Sequence, residues 1–275
     1  MRCLAPAKLN LFLHVTGRRA DGFHELETVF QLVDLCDELQ ISVRDDGQIR
    51  REPAPSDPLL ASLADGQDLT VRAAQRLQQL SGTGQGANLH VHKRIPAGGG
   101  LGGGSSDAAT VLLVLNKLWD LRWPPSRLAE LALELGSDIP LFIHGRNAFG
   151  RGRGEQLTPL DLPPRWYLIV DPGVAVATRE VFAAAELTRD TPALKIAALP
   201  ADGGHNDCEP VVRRRYPEVA RALDLLRPWG GRLTGTGACV FAGAATREAL
   251  EAAAAAVPPA WRYFIAKGLA RSPVA

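Results

Sequence analysis

Pro96-Ala97-Gly98-Gly99-Gly100-Leu101-Gly102-Gly103-Gly104-Ser105-Ser106-Asp107 is the stretch that decides how the chain is read. Six glycines in seven positions remove the Cβ atoms that hold a bulky group off the main chain. They also tolerate the positive φ angles that turn successive amides into one concavity. Ala108, Val111, Leu112, Leu115, Leu118 and Trp119 follow at i, i+3/4 and i+7 spacing, which predicts a helix with Ser105 and Ser106 at its N-cap. A glycine loop that opens a helix offers unpaired donors and the positive end of the helix dipole, a seat for a polyphosphate. Composition alone also allows a flexible linker. The strand-like residues 87–95 before it and the periodic helix after it favour the phosphate loop.

The type of loop can be narrowed. A Walker loop needs Gly-Lys-Ser/Thr, and that tripeptide is absent from the chain. Gly98-x-Gly100-x-x-Gly103 fits the dinucleotide fingerprint, but so dense a glycine run matches it by chance. The acid expected about twenty residues on, at the end of a second strand, would be Asp120, which closes the helix itself.

The 275 residues suffice for one large domain or two moderate ones. With 46% hydrophobic and 22% charged residues the composition is that of a globular protein. A net charge of +1 gives no reason to expect a nucleic-acid partner or an anionic membrane. Cys3, Cys36, Cys208 and Cys239 lack pair spacing and have no clustered histidines, so they read as thiols in a reducing cytoplasm, with no protein-built metal site. The N-terminus lacks a signal-peptide core, and no apolar run reaches membrane-span length.

In residues 4–15, Leu9, Leu11, Leu13 and Val15 alternate onto one face of a strand, leaving Lys8, Asn10 and His14 on the other. A lone strand lysine is usually solvated. Arg19-Ala20-Asp21-Gly22-Phe23-His24 is a turn carrying an aromatic and an imidazole. Strands are expected at 26–33 and 37–43, a surface excursion over 44–66, and an amphipathic helix at 69–80. A second helix spans 127–135, with Gly136 as its C-cap, and Ser137-Asp138-Ile139-Pro140 starts another, where Asp138 reads as an N-cap.

After a proline-bearing joint at 157–164 come a strand at 165–171, a helix at 178–187 and a helical stretch from His205 to Arg215. A helix at 217–226, the glycine motif Thr234-Gly235-Thr236-Gly237-Ala238-Cys239 entering a strand, a helix at 247–255 and a strand at 261–266 complete the chain. Taken as β, α, β, β, α, β with extra helices, the second half is compatible with a ferredoxin-like sandwich.

Pro-x-x-x-Gly-Leu-Gly-Gly-Gly-Ser-Ser-Asp-Ala-Ala resembles the ATP loop of the GHMP small-molecule kinases, most of all the branch acting on 4-diphosphocytidyl-2-C-methyl-D-erythritol in non-mevalonate isoprenoid synthesis. Ala-Lys-Leu-Asn-Leu-x-Leu, Gly-Ser-Asp-Ile-Pro and Gly-Thr-Gly-Ala-Cys resemble its other motifs, so the likeness covers nearly the whole chain. It implies an α+β fold: an N-terminal ATP-binding domain of the ribosomal-protein-S5-domain-2-like type over 1–156, and a ferredoxin-like substrate domain over 157–275.

The resemblance also assigns roles. Lys8 and Asp138 would be catalytic, Asp138 as the base. Lys93, Pro96, Ala97, Gly98, Gly99, Gly100, Leu101, Gly102, Gly103, Gly104, Ser105, Ser106 and Asp107 would hold ATP with Mg²⁺. Asn10, Phe23, His24, Thr178 and Phe182 would bind the acceptor, with Phe23 and Phe182 on opposite faces of its cytosine. Asp68 stands where the family usually has asparagine, and Ser137 where alanine is common. The expected protein is a cytoplasmic monomer or weak homodimer acting on a small molecule. Three other readings stay open: a mevalonate- or homoserine-type GHMP kinase, a nicotinamide oxidoreductase, and a catalytically silent nucleotide sensor.

Overall fold

The computed structural model describes residues 1–52, 68–194 and 204–274. Two sheets organise it. The first takes β1 (Arg2–Arg18), β2 (His24–Arg44), β3 (Ile49–Arg51), β4 (Gly86–His92), β5 (Ala148–Arg151) and β6 (Gln156–Pro159). Its order is β3-β4-β2-β5-β6, with β1 paired to β2. Only β3 and β4 run parallel. Between β4 and β5 come α2 (Gly103–Leu118), α3 (Pro125–Leu135) and α4 (Ile139–His144), while α1 (Leu69–Ser81) precedes β4. Leu77, Leu112, Leu115 and Leu141 from these helices bury against Leu32, Leu39, Ile41 and Leu89 of the sheet. Each such side chain contributes about 1.5–3 kcal/mol on burial.

The second sheet has order β10-β7-β9-β8, from β7 (Trp166–Asp171), β8 (Arg232–Leu233), β9 (Val240–Ala244) and β10 (Arg262–Lys267), antiparallel throughout. With α5 (Thr178–Ala183), α6 (Glu209–Arg215), α7 (Pro217–Leu226) and α8 (Glu251–Ala255), this is the ferredoxin-like strand order. A third apolar cluster joins the halves: Ala7 and Leu9 of β1 and Leu101 of the glycine loop pack on Tyr167, Ile169, Cys239 and Phe241. The loop is thereby clamped between the two sheets.

Several sequence expectations are corrected. α2 begins at Gly103 with Gly102 as its cap, so Ser105 and Ser106 lie in the first turn and cap nothing. Gly102 has φ of +72°, a conformation that favours glycine over serine. Strands 26–33 and 37–43 are one continuous β2, because extra residues at 34–35 bulge out between the pairs Ala7/Val33 and Pro6/Cys36 without ending it. In β1, three steps from Asn10 to Leu13 oppose two on β2, from Phe30 to Thr28.

That one-residue bulge reverses the alternation beyond it. Leu13 therefore joins Lys8 and Asn10 at the cavity, while His14 turns away to pack on Phe12 and His205. The helix expected over 178–187 ends at Ala183. The one expected from His205 starts at Glu209, because Asp207 is occupied by Val15 N and Thr191 Oγ1. Of the surface excursion, residues 53–66 lie outside the described residues; within it, Ile49–Arg51 forms β3. Asp68 caps α1, accepting from Thr70 N at 2.8 Å, and pairs with Arg51.

Cys36, Cys208 and Cys239 are buried free thiols and Cys3 is half-buried. Burial pushes Cys36 up to about 11 and Cys208 up to about 12, which keeps them protonated and unreactive. Among the described residues no helix is long and apolar enough to cross a membrane.

Candidate active site

Lys8 reaches the cavity from the middle of β1, almost fully buried. Its ammonium donates to Asn10 Oδ1 at 2.6 Å and lies 3.3 Å from Asp138 Oδ2 and 5.6 Å from the centre of the Phe30 ring. Asn10 is fixed in turn: its Nδ2 donates to Thr28 Oγ1 at 2.9 Å, and Thr28 Oγ1 donates to Phe12 O. Such a chain assigns the amide orientation, because Thr28 spends its proton on the carbonyl and must accept from Asn10. Asp138 stands at the N-cap of α4 but makes no capping bond. Its carboxylate, about a third exposed, is free to meet both Lys8 and a ligand.

The glycine segment is held by its carbonyls. Gly98 O accepts from Ala238 N at 3.2 Å, Gly99 O from Cys239 N at 3.1 Å, Leu101 O from Lys8 N at 2.9 Å, and Gly102 O from Ser106 N at 2.9 Å. None of these bonds uses an amide from Gly98 to Gly102, so those donors stay available to an anion. The contact with the second glycine motif explains why side chains are absent. A Cβ on Gly100 would stand 2.3 Å from Thr234 O, and one on Gly99 would stand 2.6 Å from Cys239 Sγ. Asn206 steadies the partner motif by donating to Leu233 O and Gly235 O.

Pro96 and Leu101 are buried, and Leu101 belongs to the core between the sheets. Gly100, Gly102 and Ser105 line the cavity. Lys93 is tied to two buried carboxylates, Asp37 and Asp107, the latter at 2.7 Å. Asp37 also accepts from Arg94 N and Ile95 N, so the trio fixes the entry to the loop. Burial pushes the Asp107 carboxyl up to about 7, against the opposing pull of Lys93. At the head of α2, Ser106 Oγ and Asp107 Oδ1 are buried without hydrogen-bond partners.

Phe23, His24, Thr178 and Phe182 line the same cavity of about 1120 Å³ as Lys8 and Asp138. Phe182 stacks on the His24 imidazole, centroids 5.1 Å apart at 25°. Phe23 is half-exposed with the Arg153 guanidinium 4.8 Å over its ring. Thr178 Oγ1 and Thr236 Oγ1 share a hydrogen bond of 2.8 Å. The cavity therefore carries an aromatic-imidazole surface for a flat ring together with a carboxylate, an ammonium and bare backbone.

Thr28, Asp37, Arg153 and Arg189 escaped the sequence reading. Thr28 and Asp37 look like ordinary strand residues, and Arg189 sits in a segment with no periodicity. Arg153 did carry a signal, the alternation Gly150-Arg151-Gly152-Arg153-Gly154, which marks a tight hairpin presenting arginine.

Residues 68–146 match the GHMP kinases N terminal domain and residues 184–262 the GHMP kinases C terminal. The chain is 53% identical over 271 residues to a 4-diphosphocytidyl-2-C-methyl-D-erythritol kinase of Thiobacillus denitrificans, covering 98% of this chain and 96% of the relative. A protein of the same description from Nitrosospira multiformis is 53% identical over 279 residues, covering 100% of this chain and 93% of the relative. Among solved structures, a 4-(cytidine 5'-diphospho)-2C-methyl-D-erythritol kinase superposes with a TM-score of 0.82 at 34% identity, covering 98% of this chain and 99% of the other.

Proposed function

Because the chain belongs to the GHMP kinases, and within them to the 4-diphosphocytidyl-2-C-methyl-D-erythritol kinase family, we propose that Asp138 and Lys8 carry its phosphoryl transfer. The protein is an ATP-dependent kinase of isoprenoid precursor synthesis. Its acceptor hydroxyl is the 2-hydroxyl of the cytidyl sugar alcohol. The observation that carries the reading is the 3.3 Å pair of Lys8 and Asp138 inside a cavity bounded by the glycine segment.

Phosphoryl transfer asks a protein mainly for positioning and charge neutralisation. Asp138 Oδ takes the hydroxyl proton as the oxygen attacks. Lys8, locked by Asn10, neutralises charge on the group in flight. Loop amides from Gly98 to Ser105 hold the ATP phosphates, while Phe23, His24, Thr178 and Phe182 hold the cytidyl end. Lys93 and Asp107 shape the loop through their mutual ion pair. The ATP unit is 1–156 and the second unit 157–275. The acceptor lies between them, with Asn10, Phe23 and His24 from the first and Thr178 and Phe182 from the second, and β6 of the first sheet runs across the boundary to Pro159.

The residues present suit Mg²⁺. Mg²⁺ takes oxygen ligands and keeps several waters, with substrate phosphates supplying others. The unpartnered Ser106 hydroxyl at the head of α2 is the side chain that would hold it. When bound, Mg²⁺ offsets phosphate charge. A cytoplasmic monomer or weak dimer completes the reading.

ATP turnover measured with and without the cytidyl acceptor tests it. Acceptor-dependent ADP release supports the kinase; turnover with mevalonate or homoserine instead would reassign the substrate.

A further inference from the structure

Arg189 lies beyond α5, in the irregular segment that follows the cavity-lining Phe182 and Ala183. Its guanidinium donates four times. Nη1 meets Leu187 O at 2.9 Å, and Nη2 meets Phe182 O at 3.0 Å and Ala184 O at 2.6 Å. These bonds finish α5 and set the backbone of Phe182. The fourth, from Nε, crosses to His24 Nε2 at 3.0 Å. Guanidinium has donors only, so the nitrogen it meets must offer a lone pair. His24 is thereby neutral, with its proton on Nδ1, and the Phe182 ring fixes its plane.

The surroundings act in the same direction. Burial, then the charges of Arg189 and of Arg18 on β1, hold the His24 pKa below the ordinary histidine value. Of the nearby groups on the turn, Asp21 and Glu25 are engaged by Arg19, and Arg153 from the β5–β6 hairpin lies over Phe23.

We propose that Arg189 is a specificity-positioning residue: by donating to Nε2 it makes His24 a permanent Nδ1–H donor, which selects cytosine over uracil in the acceptor. Cytosine N3 is a hydrogen-bond acceptor, whereas uracil N3 carries a proton and would oppose donor to donor. Leaving such groups unpaired in a closed site is costly, so one fixed tautomer discriminates strongly. The inference rests on the cytidyl-acceptor reading above and adds the residue that enforces its base choice.

The test is calorimetric binding of CMP and UMP, without ATP, to the full chain between pH 5.5 and 8. The wild type is expected to prefer CMP, with a ratio flat across that range. Arg189→Ala should lose about tenfold or more of the preference. Its CMP affinity should also become pH-dependent near the free histidine value of about 6.5. Arg189→Lys, which keeps one donor, should recover part of the preference, and His24→Ala should abolish it with no further loss in the double variant.

An Arg189→Ala protein that keeps the ratio and the flat profile, losing only thermal stability, overturns the inference alone. A wild type that binds neither nucleotide overturns the cytidyl reading as well. Should Arg189→Ala not fold, the ¹⁵N shifts of His24 in the wild type decide directly: a proton on Nε2 refutes the proposal, and one on Nδ1 supports it.

Discussion

Asp138 occupies the cap position of α4, yet its carboxylate faces Lys8 of β1 at 3.3 Å and makes no bond to the helix amides. A capping aspartate contributes about 1 kcal/mol to its helix. Pro140 at the start of α4 and the packing of Ile139, Leu141 and Phe142 hold that helix without the cap. The helix does not depend on the carboxylate, which is therefore left to face Lys8 and the cavity.

Asp138→Asn should therefore fold normally and bind ATP as the wild type does. A positioned base is worth about 10²–10⁴-fold, so kcat should fall by about that factor. Steady-state turnover alongside direct nucleotide binding checks this. Turnover near the wild-type level would remove Asp138 from the mechanism.

Gly100→Ala should damage both stability and the nucleotide site. The added Cβ would stand 2.3 Å from Thr234 O, at a φ of +75°. The clash is with backbone, so the two glycine motifs must separate, at a cost of about 1–3 kcal/mol. A lowered Tm with a raised KM for ATP is expected; a wild-type KM would mean that this contact does not shape the phosphate seat.

Lys93→Met should destabilise in a pH-dependent way. Removing the cation leaves Asp37 and Asp107 buried together, at a cost of about 3–5 kcal/mol. Burial lifts the Asp107 carboxyl from 3.8 to about 7. Between those values the folded chain holds a proton that the unfolded chain has released, so this group's contribution to stability falls as pH rises through that window. The loss in the variant should then be larger at pH 8 than at pH 5, read from urea unfolding at each pH. Equal losses would show that Asp107 does not titrate there.

Phe182→Ala should act on the acceptor alone. Its ring covers His24, both line the cavity, and neither bonds to the glycine segment. KM for the cytidyl acceptor should rise about tenfold or more while KM for ATP is unchanged, since a stacked ring contributes about 0.5–1.5 kcal/mol beyond its buried area. Parallel changes in both constants would point to a general loosening of the fold.

Much of the site is local and so was readable in the sequence. The glycine density of 98–104 specifies a backbone seat whatever surrounds it, and the spacing of Val111, Leu112 and Leu115 specifies the helix behind that seat. In the second half the strand at 165–171, the helix at 217–226 and the closing strand at 261–266 were readable from local pattern. Local pattern failed where a single residue shifts phase. The bulge between Asn10 and Leu13 moves His14 off the cavity wall and Leu13 onto it, and no alternation count detects one extra residue on one strand.

The sequence by itself determined that the chain has a phosphate-type loop, a helix to carry it, and an acid at 138 placed to begin a short helix. These are properties of neighbouring residues. Only the tertiary structure decided that Lys8 meets Asp138, that Gly100 abuts Thr234, and that Arg189 donates to His24. Those pairs lie 130, 134 and 165 positions apart. Each contact is made by packing between distant segments. α4 packs on the first sheet in one apolar cluster, α5 and the residues after it pack on Leu13 and Val15 of β1 in another, and Leu101 of the glycine loop packs on Cys239 and Phe241 of the second sheet in a third, so none of them has a local signature along the chain.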